Sequence, residues 1–485
     1  MQITTFHQPL SELKTELLVL VLDPNQKLFE LAHPQLESRL SEIQSGFEQE
    51  RISREVLFEV EGVGAVVVFS TLTEKAYSLW ENLKTFTARA LRLAVETGRR
   101  KVTVALNSSE LAARAVEGAL LGTYAFENYR REPKKRFEDF TLELMVPAAD
   151  DLGGRLEAAR TVAEAVNLAR DLSNEPANTL VPETLAQRAS EIAERHGLEC
   201  EIWREEELAD QRCTGLLAVG AGSQHPPRMI RLHRPVEGSA HHLVLVGKGV
   251  TFDSGGVSIK PAAGMEVMKG DMSGAAAVLG AMEALGKLGA SVSVTALICT
   301  AENLLDGKAQ RPGDILVYPN GKSVQVENTD AEGRLILADG LIRCAALKAT
   351  HVLDLATLTG ACARALGPSF TGLMGNAREL VNAVTRAGGN HGESYWKLPL
   401  PMEYKEMLKC PVADLNNVGG QYGGAITAGL FLQEFVPEKV AWAHLDIAGT
   451  FWREKPWKYF QEGPTGVGVR TLVELARNWT DYISG

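Results

Sequence analysis

Short apolar runs recur along the first 150 residues, separated by stretches with polar and apolar residues at helical spacing. Runs rich in β-branched residues occupy positions 17–22, 65–69 and 102–106. An apolar run of this length is typical of a strand that is buried on both faces. The pattern predicts a small N-terminal α/β domain over residues 1–150.

A single amphipathic helix follows this domain. Apolar residues recur at three- and four-residue steps from position 154 to 172, including Leu156, Val162 and Val166. That spacing places them on one face of a helix. Pro176 cannot continue the helix, so the helix ends shortly before it. We interpret residues 151–173 as a linker helix that leads into a larger domain over residues 174–485.

In this larger domain strand-like runs alternate with helical ones. The predicted strands cover residues 243–246, 292–298, 352–355 and 440–447, and the predicted helices 275–288, 335–347 and 378–386. Such alternation favours a mostly parallel sheet covered by helices, so the fold class is α/β. Ligands bind such sheets beyond the carboxyl ends of the strands. Functional residues are therefore expected just after the apolar runs.

Composition and charge narrow the classes of function. The chain has 485 residues, enough for two domains, and 45% of them are hydrophobic. Its net charge of -11 disfavours a nucleic-acid-binding role, which normally needs a basic surface. The six scattered cysteines suit free thiols in a reducing compartment. With no signal-peptide pattern and no membrane-length apolar run, we expect a cytoplasmic protein without membrane association.

The segment after the strand at 243–246 has three interpretations. It reads GKGVTFDSGG over residues 247–256, which lacks the spacing of a phosphate-binding loop. The tetrapeptide DSGG at 253–256 is like the nucleophile loop of chymotrypsin-like proteases and makes Ser254 a candidate nucleophile. The third interpretation is a glycine-rich turn whose lysine and aspartate are solvated. Each short motif taken alone favours the turn.

Four acidic residues near the predicted strand ends point to metal chemistry. Each lies in a glycine-punctuated segment, and two of them are separated by one residue, so that one loop can direct both carboxylates to one point: Asp253, Asp271, Asp330 and Glu332. Hard divalent cations prefer oxygen ligands of this kind. The HExxH motif of one-zinc proteases does not occur in the sequence.

The chain resembles the leucyl aminopeptidase family, also called cytosol aminopeptidases, which are two-metal exopeptidases. The octapeptide NTDAEGRL at 328–335 matches the signature of that family, and residues 246–277 and 174–178 follow its pattern. The resemblance is strong over about the last 310 residues. It implies a metal-dependent aminopeptidase that removes N-terminal leucine or another apolar residue, through a water that bridges two divalent metals.

The resemblance also assigns roles to individual residues. The implied metal ligands are Lys248, Asp253, Asp271, Asp330 and Glu332. The tighter ion is expected at Lys248, Asp253, Asp271 and Glu332, and the exchangeable ion at Asp253, Asp330 and Glu332. The implied catalytic residues are Lys260 and Arg334, the latter with a bicarbonate that shuttles protons. The implied substrate-binding residues are Met268, Thr357, Leu358, Gly360 and Ala448.

The expected cofactors are two divalent ions per subunit, Zn²⁺ or Mn²⁺ with Mg²⁺ as the alternative. The expected partners are peptides with a free N-terminus and five further copies of the chain in a homohexamer. Two other classes of function stay open at this stage. One is a nucleic-acid-binding accessory protein, and the other is a serine hydrolase that uses Ser254. A chelator abolishes activity only if metals act in catalysis.

Overall fold

The computed structural model describes residues 1–7, 12–22, 33–48, 55–61, 63–70, 79–134, 136–147 and 152–484. The chain divides into two compact units. The first contains Met1–Glu164 and Lys455–Glu462, and the second contains Ala165–Glu454 and Gly463–Gly485. The predicted boundary between residues 150 and 151 lies outside the described residues, and the domain limits stay a prediction.

The first unit has a six-stranded sheet with helices. Its strands are β1 (Gln2–Phe6), β2 (Leu17–Leu22), β3 (Glu55–Val60), β4 (Gly64–Ser70), β5 (Lys101–Ala105) and β6 (Thr141–Met145). Their spatial order is β1-β6-β5-β2-β4-β3, and β3 alone is antiparallel to its described neighbour. The helices are α1 (Pro34–Glu48), α2 (Leu79–Glu96) and α3 (Ser109–Gly122). The predicted runs at 17–22, 65–69 and 102–106 fall on β2, β4 and β5.

One long helix, α4 (Gly153–Asn174), runs from the first unit into the second. The second unit has an eight-stranded sheet, whose strands are β7 (Glu199–Trp203), β8 (Arg228–Arg234), β9 (His242–Asp253), β10 (Ser293–Asn303), β13 (His351–Ala356), β14 (Thr371–Gly375), β15 (Tyr395–Lys397) and β17 (Ala441–Asp446). Small sheets are formed by β11 (Ile315–Val317), β12 (Ser323–Gln325) and β16 (Leu415–Asn416), and by β18 (Trp452–Arg453) and β19 (Gly463–Pro464).

Helices accompany these strands along the chain. They are α5 (Pro182–His196), α6 (Glu205–Asp210), α7 (Thr214–Gly220), α8 (Ser273–Leu288), α9 (Gly333–Arg343), α10 (Gly360–Leu366), α11 (Arg378–Gly389), α12 (Gly424–Gln433), α13 (Val469–Arg477) and α14 (Trp479–Tyr482). Two 3-10 helices cover Met265–Gly270 and Met402–Leu408. Within the described ranges, every helix is too short or too polar to cross a membrane.

The centre of the large sheet consists of four parallel strands, in the order β17-β13-β9-β10. Their carboxyl ends therefore meet at one edge of the sheet. The mixed α/β fold with a helix-covered, mostly parallel sheet is confirmed.

Strand β9 corrects one interpretation of the sequence. The GKGVTFD segment at 247–253 is not a solvated glycine-rich turn, because it continues the strand to Asp253 and is largely buried. Its glycines are required by packing. A Cβ on Gly247 would lie 2.8 Å from Ala275 Cα in α8, and one on Gly249 would lie 3.0 Å from Cys299 O in β10.

Gly274 allows α8 to approach the sheet beside the end of β13. A Cβ at this position would lie 2.1 Å from the carbonyl oxygen of Leu355. Gly274→Ala should therefore lower the free energy of unfolding by about 1–3 kcal/mol, measured by urea denaturation.

The matched control is Gly389→Ala at the end of α11, where a Cβ meets no described residue within 4 Å. Its effect should stay within about 1 kcal/mol, since alanine has the higher helix propensity. Equal stability of the two variants would show that close packing at Gly274 does not matter.

Candidate metal centre and active site

The predicted site residues gather where the four central strands end. Asp253 is the last residue of β9, and Thr357 and Leu358 follow β13 directly. Asp271 follows the 3-10 helix at Met265–Gly270, and Glu332 directly precedes α9. The adjacent carboxyl ends of the parallel strands therefore bring together residues that are up to 105 positions apart in the chain (358 minus 253).

Lys248 lies inside the cluster, on β9. Its Nζ is 2.7 Å from Asp271 Oδ2 and 2.8 Å from Glu332 Oε1, and it donates a hydrogen bond to Thr357 O at 3.1 Å. Burial alone lowers the pKa of Lys248, but the negative charges of Asp271 and Glu332 outweigh burial and raise the pKa. The lysine is held by the same carboxylates that the resemblance assigns as its fellow ligands.

A second lysine joins the other carboxylates. Lys260 Nζ lies 2.8 Å from Asp253 Oδ2 and 2.5 Å from Asp330 Oδ1. Asn303 at the end of β10 donates to Asp253 Oδ1 at 2.8 Å, and Gly255 N donates to the same oxygen at 2.9 Å. Asp253 is therefore fixed from several directions.

Three of the carboxylates are close enough to share a cation. Oxygen atoms of Asp253, Asp330 and Glu332 all lie within 4.8 Å of one another. Among the described residues, Glu332 Oε2 is buried without a hydrogen-bond partner. A buried oxygen left in this way costs about 1–3 kcal/mol. A divalent cation would use its lone pairs, so these residues fit a metal.

The charge balance points in the same direction. The cluster contains four carboxylates and two lysines, which leaves an excess of two negative charges. Burial, followed by the charge of Asp253, raises the pKa of Glu332 to about 8. A carboxyl group with such a raised pKa lacks sufficient positive charge nearby. Cations would supply that charge.

Arg334 lies in the first turn of α9 and is buried. Its Nη1 donates to Asn417 O at 2.7 Å, and among the described residues its Nε has no hydrogen-bond partner. Burial lowers the pKa of Arg334 to about 10, although the charges of Glu332 and Asp446 oppose this. An unpaired buried N–H of a guanidinium is suited to an anion such as the predicted bicarbonate.

The predicted substrate-binding residues reach the cluster to different degrees. Thr357 Oγ1 donates to Asp271 Oδ1 at 2.6 Å, which places it among the carboxylates. Met268 is half-buried three residues before Asp271, and its carbonyl accepts from Asp271 N at 3.2 Å. Gly360 is exposed at the first residue of α10.

Asp446, which the sequence analysis missed, links Leu358 and Ala448, the other two predicted substrate-binding residues. Its Oδ1 accepts from Leu358 N at 3.2 Å and from Ala448 N at 3.1 Å, and its Oδ2 accepts from Thr359 Oγ1 at 2.7 Å. Asp446 is the last residue of β17. A search for polar residues at the carboxyl end of the predicted strand at 440–447 could therefore have found it.

Among the described residues, Ser254 has no catalytic partner of the kind that a serine hydrolase needs. Its Oγ donates to Asn303 O at 2.8 Å and accepts from Gly256 N at 3.2 Å. In the described part of the chain, no histidine is hydrogen-bonded to it. The geometry therefore does not support Ser254 as a nucleophile.

Comparisons with known proteins agree with this site. The model of the cytosol aminopeptidase family, catalytic domain, matches residues 167–473. The probable cytosol aminopeptidase of Koribacter versatilis is 44% identical over 374 residues, which are 76% of this chain and 73% of the relative. That of Solibacter usitatus is 46% identical over 406 residues, 82% of this chain and 83% of the relative.

Two solved structures are similar over nearly the whole chain. A mutant of tomato leucine aminopeptidase has a TM-score of 0.85 and 33% identity, covering 98% of this chain and 96% of that one. The bottromycin maturation enzyme BotP in complex with Mn has a TM-score of 0.83 and 32% identity, covering 96% and 100%.

The match to this family and to its relatives, on a chain whose acidic residues gather at the strand ends, identifies the protein as a metallo-aminopeptidase. The chain belongs to the cytosol aminopeptidase family. It hydrolyses the N-terminal peptide bond of peptides in a metal-dependent reaction.

Removal of the Asp446 carboxylate should loosen both segments that it joins. Asp446→Ala leaves the N–H groups of Leu358 and Ala448 without their acceptor, so we expect a loss of unfolding free energy on the order of 3 kcal/mol. Denaturant unfolding measures the loss, and hydrogen exchange should quicken at these two amides.

Asp414→Ala is the control, because the exposed Asp414 likewise accepts from a backbone N–H and a hydroxyl of Ser323. It should change stability little. Unchanged exchange at Leu358 and Ala448 in Asp446→Ala would refute the linking role.

Proposed function

We propose that the enzyme removes leucine or another apolar residue from the amino end of peptides, with two divalent ions held by Lys248, Asp253, Asp271, Asp330 and Glu332. The close approach of the carboxylates of Asp253, Asp330 and Glu332, within 4.8 Å, carries this proposal. When bound, the ions act as Lewis acids and acidify the water that attacks the peptide carbonyl.

Lys248 would act as a ligand through its nitrogen lone pair. This requires loss of its proton, although the neighbouring carboxylates raise the pKa of the ammonium group. Cations placed among the same carboxylates offset their charge and lower that pKa again. Zn²⁺ and Mn²⁺ are the proposed ions, with Mg²⁺ as the alternative.

Lys260 and Arg334 are the proposed catalytic residues. The ammonium group of Lys260 lies beside Asp253 and Asp330, where a carbonyl oxygen that approaches the cluster would gain negative charge. A positive group held at that point stabilises the transition state more than the substrate. Arg334, whose buried Nε has no hydrogen-bond partner in the described part of the chain, would hold a bicarbonate that transfers protons as a general base.

The proposed pocket for the first side chain would give the enzyme a preference for apolar residues. Met268 and Ala448 would contribute apolar surface, Gly360 would leave room, and Thr357 would form the side next to Asp271. Leu358 would offer its carbonyl oxygen to the substrate. An unblocked amine would offer its nitrogen lone pair to a bound ion, which favours peptides whose amino end is free. By the family resemblance, we also propose a homohexamer that works in the cytoplasm.

The exopeptidase function is tested by comparing leucyl and N-acetyl-leucyl substrates of the same length. Only the free-amine substrate should be cleaved at an appreciable rate, because the acetylated one cannot present its amine to the cluster. A chelator should abolish that cleavage, and added Mn²⁺ should restore it. Similar rates on both substrates would rule out an aminopeptidase of this kind.

Lys260→Ala tests the catalytic assignment. Loss of one charged donor to a developing oxyanion costs about 3–4 kcal/mol, so kcat should fall on the order of a hundredfold or more. Steady-state kinetics at saturating Mn²⁺ measures the effect. The exposed Lys308 serves as the control, and Lys308→Ala should retain wild-type kcat. A Lys260→Ala enzyme with nearly normal kcat would remove Lys260 from the mechanism.

A further inference from the structure

Asn417 lies directly after β16, in the small sheet beside the site. It is fully buried, and its backbone N–H donates to Gln325 O at 3.0 Å, which continues the pairing of β16 with β12. Neither the motifs nor the periodicity of the sequence mark this residue. Its position nevertheless brings it to the loop that carries the NTDAEGRL octapeptide.

Both the oxygen and the nitrogen of the Asn417 side-chain amide are hydrogen-bonded to that loop. Its Oδ1 accepts from Glu327 N at 2.8 Å and from Asn328 N at 3.2 Å. Its Nδ2 donates to Asn328 O at 2.7 Å and to Ala331 O at 3.4 Å. The amide therefore spans residues 327–331, the segment that contains Asp330. A carboxylate of the same size could accept these bonds but could not donate them.

The main chain of Asn417 makes a further contact to the site. Its carbonyl oxygen accepts from Arg334 Nη1 at 2.7 Å. One buried residue thus touches both the loop that precedes Glu332 and the guanidinium that follows it. Charge-assisted hydrogen bonds of this kind are among the stronger ones in proteins.

Asp330 depends on this support more than the other carboxylates do. Its side chain is 32% exposed, whereas that of Glu332 is 2% exposed. A partly exposed carboxylate on a loop is only as well placed as the loop itself. Asp330 N donates to Asn328 Oδ1 at 2.8 Å, and Asn328 is in turn held by Asn417.

We propose that Asn417 is a positioning residue, whose amide fixes Asp330 for binding of the exchangeable ion and whose carbonyl orients Arg334. This inference rests on the proposed two-ion function. Residues that hold metal ligands in place typically change metal affinity 10- to 100-fold when they are replaced. The effect should be confined to one ion, because Lys248 and Asp271 lie on other segments and are bonded to each other.

The test is a calorimetric titration of the metal-free full-length protein with Mn²⁺. The wild-type chain should bind two ions. Asn417→Asp keeps the acceptor of the amide and loses its donor, so it should weaken one of the two sites on the order of 10- to 100-fold and leave the other near its wild-type affinity. Added Mn²⁺ should then restore much of the lost kcat, which a general loss of folding would not allow.

Asn416→Ala is the matched control. Asn416 is the preceding residue and the last of β16, and its side chain donates to Lys409 O at 3.4 Å, away from the octapeptide loop. This variant should bind both ions as the wild type does. Circular dichroism checks that each variant is folded, and Asn417→Ser replaces Asn417→Asp if the latter is not.

The outcomes separate this inference from the proposed function. Two sites of wild-type affinity in a folded Asn417 variant overturn the positioning role and leave the two-ion site intact. Equal weakening of both sites also overturns it, as does failure of both Asn417 variants to fold, because Asn417 then serves general stability. If the wild-type chain itself binds fewer than two ions, the proposed function fails first.

Discussion

The active site of this protein depends on the burial of a group of carboxyl side chains with too little positive charge beside them. Three carboxylates are buried and a fourth is half-buried, and two lysines balance only half of their charge. Burial of an unbalanced charge is costly, and the raised pKa of Glu332, about 8, reflects that cost. Divalent cations would supply the missing positive charge. The same unbalanced charge therefore raises the pKa of Glu332 and favours metal binding.

The sheet makes such a concentration of charge achievable. Four parallel strands end side by side, and each end supplies a polar residue to the same edge: Asp253, Asn303, Thr357 and Asp446. Small residues let helices approach this edge closely, as Gly274 does against Leu355 O. Asparagines then secure the loops, since an amide both donates and accepts. Rigid support of this kind is what a site with several ligands requires.

Much of this arrangement could be predicted from the sequence. Apolar runs located β2, β9, β10, β13 and β17, and the octapeptide at 328–335 indicated the family, because both signals are local in the chain. The predicted strand at 243–246 is shorter than β9, because the glycines that follow it suggested a turn. In the structure these glycines are required by the close packing of α8 and β10. No local feature of the sequence predicts that Lys455–Glu462 belong to the first unit. Asn417 acts through side-chain and carbonyl contacts to residues 83 to 90 positions distant along the chain, which periodicity does not encode.

The proposed function requires two adjacent cations, held by Lys248, Asp253, Asp271, Asp330 and Glu332. Anomalous diffraction from a crystal grown with Mn²⁺ would locate such ions. Two anomalous peaks per chain are expected, one beside Lys248 and Asp271 and one beside Asp330, with Asp253 and Glu332 next to both. A single peak, or peaks remote from these side chains, would contradict the proposed function.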